Sequence, residues 1–254
     1  MTFGPRGIPA ASYSDCGNGR RRPSVRVLGV ETATDTASVA LVDGSGLLAE
    51  RTVRAPGRSL EWLAPAIWGL LQDMGWGPEV VEGVAVSVGP GSFTGLRVGI
   101  ATAVGWARAR DLPACGVPTL EALAAAVEAP TVGVVVDARR GEVAAALFQR
   151  RDGGLVRLVE ELVAPPEEVA NAFRAAGDAA RGCVLVGDGL ARWAGVFARA
   201  LPDSRLAEAV SWTPRAASVA WLGRQRLLEG RAQPLVHIQP WYGRTPAFRQ
   251  VGPG

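Results

Sequence analysis

The sequence predicts an α/β protein of two lobes in which a βββαβα unit occurs twice. Three observations carry this. Two near-continuous apolar runs, 25–30 and 132–136, read as buried central strands, and each ends on an acid, Glu31 and Asp137. Each run is followed by the same succession of strand, strand, helix, strand and helix signals. Between Gly83-Val84-Ala85-Val86 and a stretch of helical spacing lies Ser87-Val88-Gly89-Pro90-Gly91-Ser92-Phe93-Thr94-Gly95-Leu96-Arg97-Val98-Gly99. Its clustered glycine and proline mark a tight strand-to-helix turn.

Residues 1–23 are rich in Gly, Ser, Pro and Arg and are expected to form a flexible tail. They hold Arg20-Arg21-Arg22 but not the apolar core of a signal peptide. The first lobe is expected at 24–118. Its strands are 25–30, 36–42 and 47–53, with Asp43-Gly44-Ser45-Gly46 as a hairpin turn. A helix then runs from Ser59, a candidate N-cap, to Met74. Leu60, Leu63, Ile67, Leu70, Leu71 and Met74 form its core stripe, and Pro65 is placed to bend it. A strand at 84–87 and a helix at 94–110 complete the unit. The second lobe is expected at 119–246. It has strands at 132–136, 142–149 and 155–162, then a helix at 166–176 opened by Pro165-Pro166. A strand at 184–186 and a helix at 190–200 follow. A last helix, about 214–230, is a candidate to pack back on the first lobe.

Composition narrows the chemistry. With 254 residues, 48% of them hydrophobic, the chain has ample core, and no apolar run approaches the ~20 residues of a membrane span. The net charge is +3 and every basic residue is arginine. This excludes a P-loop lysine, a Schiff base and a Ser-Lys dyad. The single histidine, His237, lies between two prolines beside apolar residues. One histidine cannot build a two-histidine metal site, and a Ser-His-Asp triad would have to run through it. The three cysteines, Cys16, Cys115 and Cys183, fit neither a disulfide framework nor a zinc site. They read as apolar fillers in a reducing cytoplasm.

Glu31 and Asp137 occupy equivalent places, so the two carboxylates are expected to face each other across a cleft between the lobes. Each acid taken alone reads more readily as the cap of its own turn, and it is their equivalent placement that favours a pocket. Together with Thr32 and the Gly187-Asp188-Gly189 turn they outline a candidate vestigial nucleotide cleft. Arg139-Arg140 and Arg150-Arg151 are candidate phosphate contacts, or simply solvated turns.

The duplicated element order resembles the actin-like ATPase superfamily, with its ribonuclease-H-like lobes. The segment 87–99 resembles, far more specifically, the bacterial TsaB (YeaZ) family. Supporting matches are Gly29-Val30-Glu31-Thr32-Ala33-Thr34, Ser38-Val39-Ala40-Leu41, Asp137-Ala138-Arg139-Arg140-Gly141-Glu142-Val143 and Pro240-Trp241-Tyr242-Gly243-Arg244. The resemblance spans roughly residues 25–245. The family usually has Asp where Glu31 stands and often a histidine near Arg58-Ser59, which this chain lacks.

The resemblance implies a non-catalytic role with no cofactor and no metal. TsaD, through paired histidine metal ligands, transfers the threonylcarbamoyl group to the adenosine next to the anticodon of tRNAs that read codons starting with adenine. TsaB holds TsaD in its active form. TsaE is then expected to dock on the TsaB–TsaD pair, TsaC to supply the threonylcarbamoyl-adenylate, and tRNA to be met through the complex. A stand-alone small-molecule kinase or ATPase using Glu31 and Asp137 is the alternative. A protease is disfavoured by the lack of a nucleophile with its base.

A scaffold needs a docking face. Gly95, Gly99, Ala103 and Ala107 recur every four residues, a stripe of small side chains that lets another helix approach closely. The stripe serves either this protein's own core or a partner, and the resemblance points to the partner. Phe93, Thr94 and Arg97 begin the same helix. On the preceding helix, Trp62, Ala66 and Gly69 are expected on the side away from the core, with Trp62 as an anchor. On this reading Gly99→Leu blocks the TsaD complex and leaves the monomer folded. Without TsaD, the face is expected to form a homodimer.

Overall fold

The computed structural model describes residues 25–54, 57 and 59–241. The predicted tail at 1–23, with Cys16, lies outside these residues, as do Arg58 and Tyr242-Gly243-Arg244.

The first unit comprises β1 (Val27–Glu31), β2 (Thr36–Asp43), β3 (Gly46–Arg54), α1 (Ser59–Asp73), β4 (Gly83–Gly89), α2 (Phe93–Ala109), β5 (Ala114–Pro118) and α3 (Thr119–Ala125). The second comprises β6 (Thr131–Arg139), β7 (Glu142–Arg151), β8 (Gly154–Ala164), α4 (Pro166–Ala175), β9 (Val184–Val186), α5 (Leu190–Ala200), β10 (Arg205–Leu206) and α6 (Ala216–Leu228). The sheet orders are β3-β2-β1-β4-β5 and β10-β9-β6-β7-β8, the same topology twice. In each, a hairpin-connected antiparallel trio meets a parallel crossover strand next to its first member.

The duplication therefore extends one strand and one helix further than the sequence signals. Residues 114–118 carry a glycine and a proline and give only a weak strand signal. The seven residues of α3 are buried on nearly every side, so they show no amphipathic period.

Each sheet is covered on both faces, which is why β1 and β6 are continuously apolar. Leu28 and Val30 of β1 join α1 and α2 in one core, while Val27, on the opposite face, packs with Val219 and Ala220 of α6. In the second sheet Val135 packs with Phe173 and Phe197 of α4 and α5, and Val132, Val134 and Val136 meet Leu120 and Leu123 of α3. Thus α6 lies on the first sheet and α3 on the second, and the two helices touch between them. The α6 N-terminus is satisfied by the first sheet on which the helix lies. Ser38 Oγ accepts from the Ala216 N–H at 2.9 Å, Glu50 Oε1 accepts from the Ala217 N–H at 3.1 Å, and Glu50 also pairs with Arg215.

Candidate functional site

A cavity of about 470 Å³ opens between the lobes. Asp35, Ser92 and Phe93 face it from the first lobe, and Asp137, Asp188 and Trp212 from the second. Glu31 and Thr32 do not line it, which corrects the expected pairing of Glu31 with Asp137. Glu31 ends β1 with its side chain turned inward and fully buried. Its Oε1 accepts from the Ala33 N–H at 2.5 Å. Its Oε2 and the Ser87 Oγ are buried without a well-formed hydrogen bond. Burial pushes the Glu31 carboxyl up to about 7, against the opposing pull of the Ala33 N–H, the nearby Ser87 hydroxyl and the Thr32 N–H. Thr32 is also fully buried, and its hydroxyl donates to the Gly95 carbonyl at 2.8 Å.

The acids on the other wall are tied to each other. Asp188 Oδ1 accepts from the Asp137 N–H at 2.9 Å. Burial pushes the Asp188 carboxyl up, the Asp137 charge adds to this, and hydrogen bonds from the Asp137 and Gly189 N–H groups oppose it. Asp137 Oδ1 accepts from the Arg139 N–H at 2.9 Å, and its other oxygen pairs with the largely exposed Arg139 guanidinium at 3.6 Å. The first-lobe carboxylate opposite them is Asp35, which sequence reasoning passed over because it sits in a plain turn.

Both glycine-rich turns prove to be docking devices for backbone. The Ser92 N–H donates to the Ala33 carbonyl at 2.7 Å, and the Gly189 N–H donates to the Val135 carbonyl at 3.1 Å. A Cβ at Gly91, Gly95 or Gly99 would collide with Ala33 or Thr32, and one at Gly187 with the Val135 carbonyl. Ser92 caps α2 by accepting from the Gly95 N–H at 3.3 Å. The segment 87–99 is thus shaped to seat α2 on the β1–β2 turn.

His237 stands exposed in a 3-10 turn at Leu235–His237 and does not line the cavity. Cys115 and Cys183 are buried, and burial pushes both thiols up to about 11, away from the reactive thiolate. Among the described residues no group of three or more His, Cys, Asp or Glu is placed to hold a metal, and no helix is long and apolar enough to cross a membrane.

The expected docking stripe is also corrected. Gly95, Gly99, Ala103 and Ala107 are all buried in the first lobe, where Ala103 and Ala107 pack in the core shared with α1. Ala66 is buried there too, Trp62 is half-buried against the same core, and Gly69 lies under the Arg51 guanidinium. Leu60, expected in the core, is 72% exposed. The reason is a second four-residue period on each helix. Ala101, Gly105 and Ala109 of α2 are exposed, and a Cβ at Gly105 would meet nothing within 4 Å. On α1, Leu60, Ala64 and Trp68 are exposed, and Trp68 meets Trp106 edge-on at 6.2 Å. Phe93, Thr94 and Arg97 remain exposed at the start of α2, with the Arg97 guanidinium 3.9 Å above the Phe93 ring.

Residues 54–228 match the family model described as TsaD, tRNA N6-adenosine threonylcarbamoyltransferase. The chain is 30% identical over 235 residues to the Escherichia coli protein named tRNA threonylcarbamoyladenosine biosynthesis protein TsaB, covering 91% of this chain and 99% of that one. It is 28% identical over 253 residues to the Haemophilus influenzae protein of the same name, covering 91% and 98%. Among solved structures it superimposes on YeaZ from Pseudomonas aeruginosa with a TM-score of 0.74 and 27% identity, covering 86% of this chain and 99% of that one. A second solved structure, described as an uncharacterized protein with similarity to peptidase YEAZ from Pseudomonas aeruginosa, gives a TM-score of 0.75 at 27% identity, covering 87% and 100%. With its two mixed sheets in the actin-like arrangement, this chain belongs to the TsaB (YeaZ) family.

Proposed function

We propose that this chain takes part in forming threonylcarbamoyladenosine in tRNA as a non-catalytic partner of TsaD, working in the cytoplasm. The observation that carries this is a pairing of likeness and deficit. The chain matches the transferase model over 54–228, yet it has no lysine and its one histidine stands outside the cleft. The cleft wall offers Asp35, Asp137 and Asp188, with Arg139 already paired to Asp137. Such a wall brings no lysine or histidine to a phosphate chain or a leaving group, and its one lining arginine is already engaged.

Recognition is then the work, and the outward face of α1 and α2 suits it. Leu60, Ala64 and Trp68 beside Ala101, Gly105 and Ala109 form an apolar ridge next to a shallow stripe, the relief against which a second helix pair packs. TsaD docks on this face. TsaE joins the pair, and tRNA is met through the assembly. Self-association through the same face is the expected state when TsaD is missing.

Gly105→Arg tests the assignment. Its Cβ enters open space, so the monomer keeps its fold. TsaD affinity is expected to fall at least tenfold in titration calorimetry, with an unchanged circular dichroism spectrum. Wild-type affinity in that variant would remove the α1–α2 face from the interface.

A further inference from the structure

The Pro240-Trp241 motif has no part in the cleft or in the α1–α2 face. It ends a segment, residues 231–241, that leaves α6 and returns to the first lobe without joining its sheet as a strand. Gln233, Ile238 and Trp241 hold it, with Leu235 packed against the same core as Ile238. The Gln233 N–H donates to the Ala114 carbonyl at 2.8 Å, and the Gln233 Oε1 accepts from the Gly116 N–H at 2.8 Å, so one residue closes the β5 edge. Ile238 is 4% exposed and sits in the core beneath α1 and α2. The Trp241 N–H donates to the Val88 carbonyl at 2.7 Å.

The last contact falls on the glycine-rich turn. Gly89 has φ +111°, and a Cβ there would strike the Trp241 carbonyl. The turn from β4 to α2 is therefore anchored at two points. Its far end is held by the Ser92 N–H on the Ala33 carbonyl, and its near end by Trp241 on Val88. The glycine-rich segment and the start of the C-terminal match are thus in contact, and the second clamps the first.

We infer that residues 231–241 are a strap that fixes the β4–α2 turn, so that the start of α2, with Phe93 and Arg97, is set by the position of the C-terminal segment. Ile238 is the pin and Gln233 the edge clip. Lifting the strap frees the Val88 carbonyl and the β5 edge together and loosens the first turn of α2. The rest of the first sheet is held by its own ladders and by α6. This coupling holds whether or not the α1–α2 face binds a partner.

Hydrogen exchange on the full chain tests it. In Ile238→Ala, peptides over 88–96 are expected to exchange at least tenfold faster than in wild type, with second-lobe peptides over 132–136 and 143–148 unchanged. In Gln233→Ala, which alters an exposed side chain, the acceleration is expected over 114–117. Wild-type exchange over 88–96 in Ile238→Ala would overturn the strap, and so would an equal acceleration in both lobes. An unchanged Gly116 amide in Gln233→Ala would remove the edge clip.

Discussion

Two glycines of α2, six residues apart, should answer the same substitution with opposite signs. Gly99 faces inward and is buried against Thr32, while Gly105 faces out with nothing within 4 Å of its would-be Cβ. In a helix interior, Gly→Ala gains about 1 kcal/mol from backbone entropy. At Gly105 nothing opposes the gain, so stability should rise by up to ~1 kcal/mol. At Gly99 the new methyl meets the Thr32 Oγ1, whose hydroxyl donates to the Gly95 carbonyl at 2.8 Å. Thr32 is fully buried and β-branched, so the rotation that clears the methyl gives up that bond. Losing it costs about 1 kcal/mol, and crowding a packed site costs ~1–3 kcal/mol more. Against the helix gain, the net is a loss of about 1–3 kcal/mol. Urea unfolding of the two variants beside wild type measures the difference. A Gly99→Ala protein as stable as Gly105→Ala would refute the inward packing of the stripe.

Other perturbations read other parts of the fold. The Glu31 carboxyl is held at about 7 when folded against an ordinary value of 4.5, so the native state keeps a proton that the unfolded chain gives up. Its contribution is whole below about 4.5, declines as pH rises and is spent above about 7, a loss on the order of 3 kcal/mol. Glu31→Gln should remove that slope, so unfolding free energies of wild type and variant should diverge with rising pH, the variant being the more stable; parallel curves would contradict the burial. Glu50→Ala deprives Arg215 and the Ala217 N–H of their shared acceptor, and thermal unfolding should show a loss of about 2 kcal/mol. A loss below ~0.5 kcal/mol would mean that water satisfies the α6 N-terminus equally well.

The strands that carry the fold were legible because burial on both faces writes itself as an apolar run, as in 25–30 and 132–136. The β4–α2 turn was legible because glycine and proline admit few conformations. The β5–α3 and β10 elements were not, since a two-residue strand has no period and α3 is buried nearly all round. Sequence alone also left the facing of α2 undetermined. Positions 95, 99, 103 and 107 and positions 101, 105 and 109 both repeat every four residues with small side chains. Which set faces in depends on Thr32, a contact across 67 positions of chain for Gly99 that no local pattern records. Glu31 shows the same limit. Its place at the end of β1 was readable, but whether the carboxylate looks into the cleft or beneath it depends on the bond to the Ala33 N–H.

The direct measurement is transfer of the threonylcarbamoyl group to tRNA by purified components. With the adenylate donor and tRNA supplied, this chain alone should give no modified adenosine above the protein-free control. Adding it to TsaD and TsaE should switch modification on, and Gly105→Arg should fail to do so. Modified tRNA formed by this chain in the absence of TsaD would contradict a role confined to recognition.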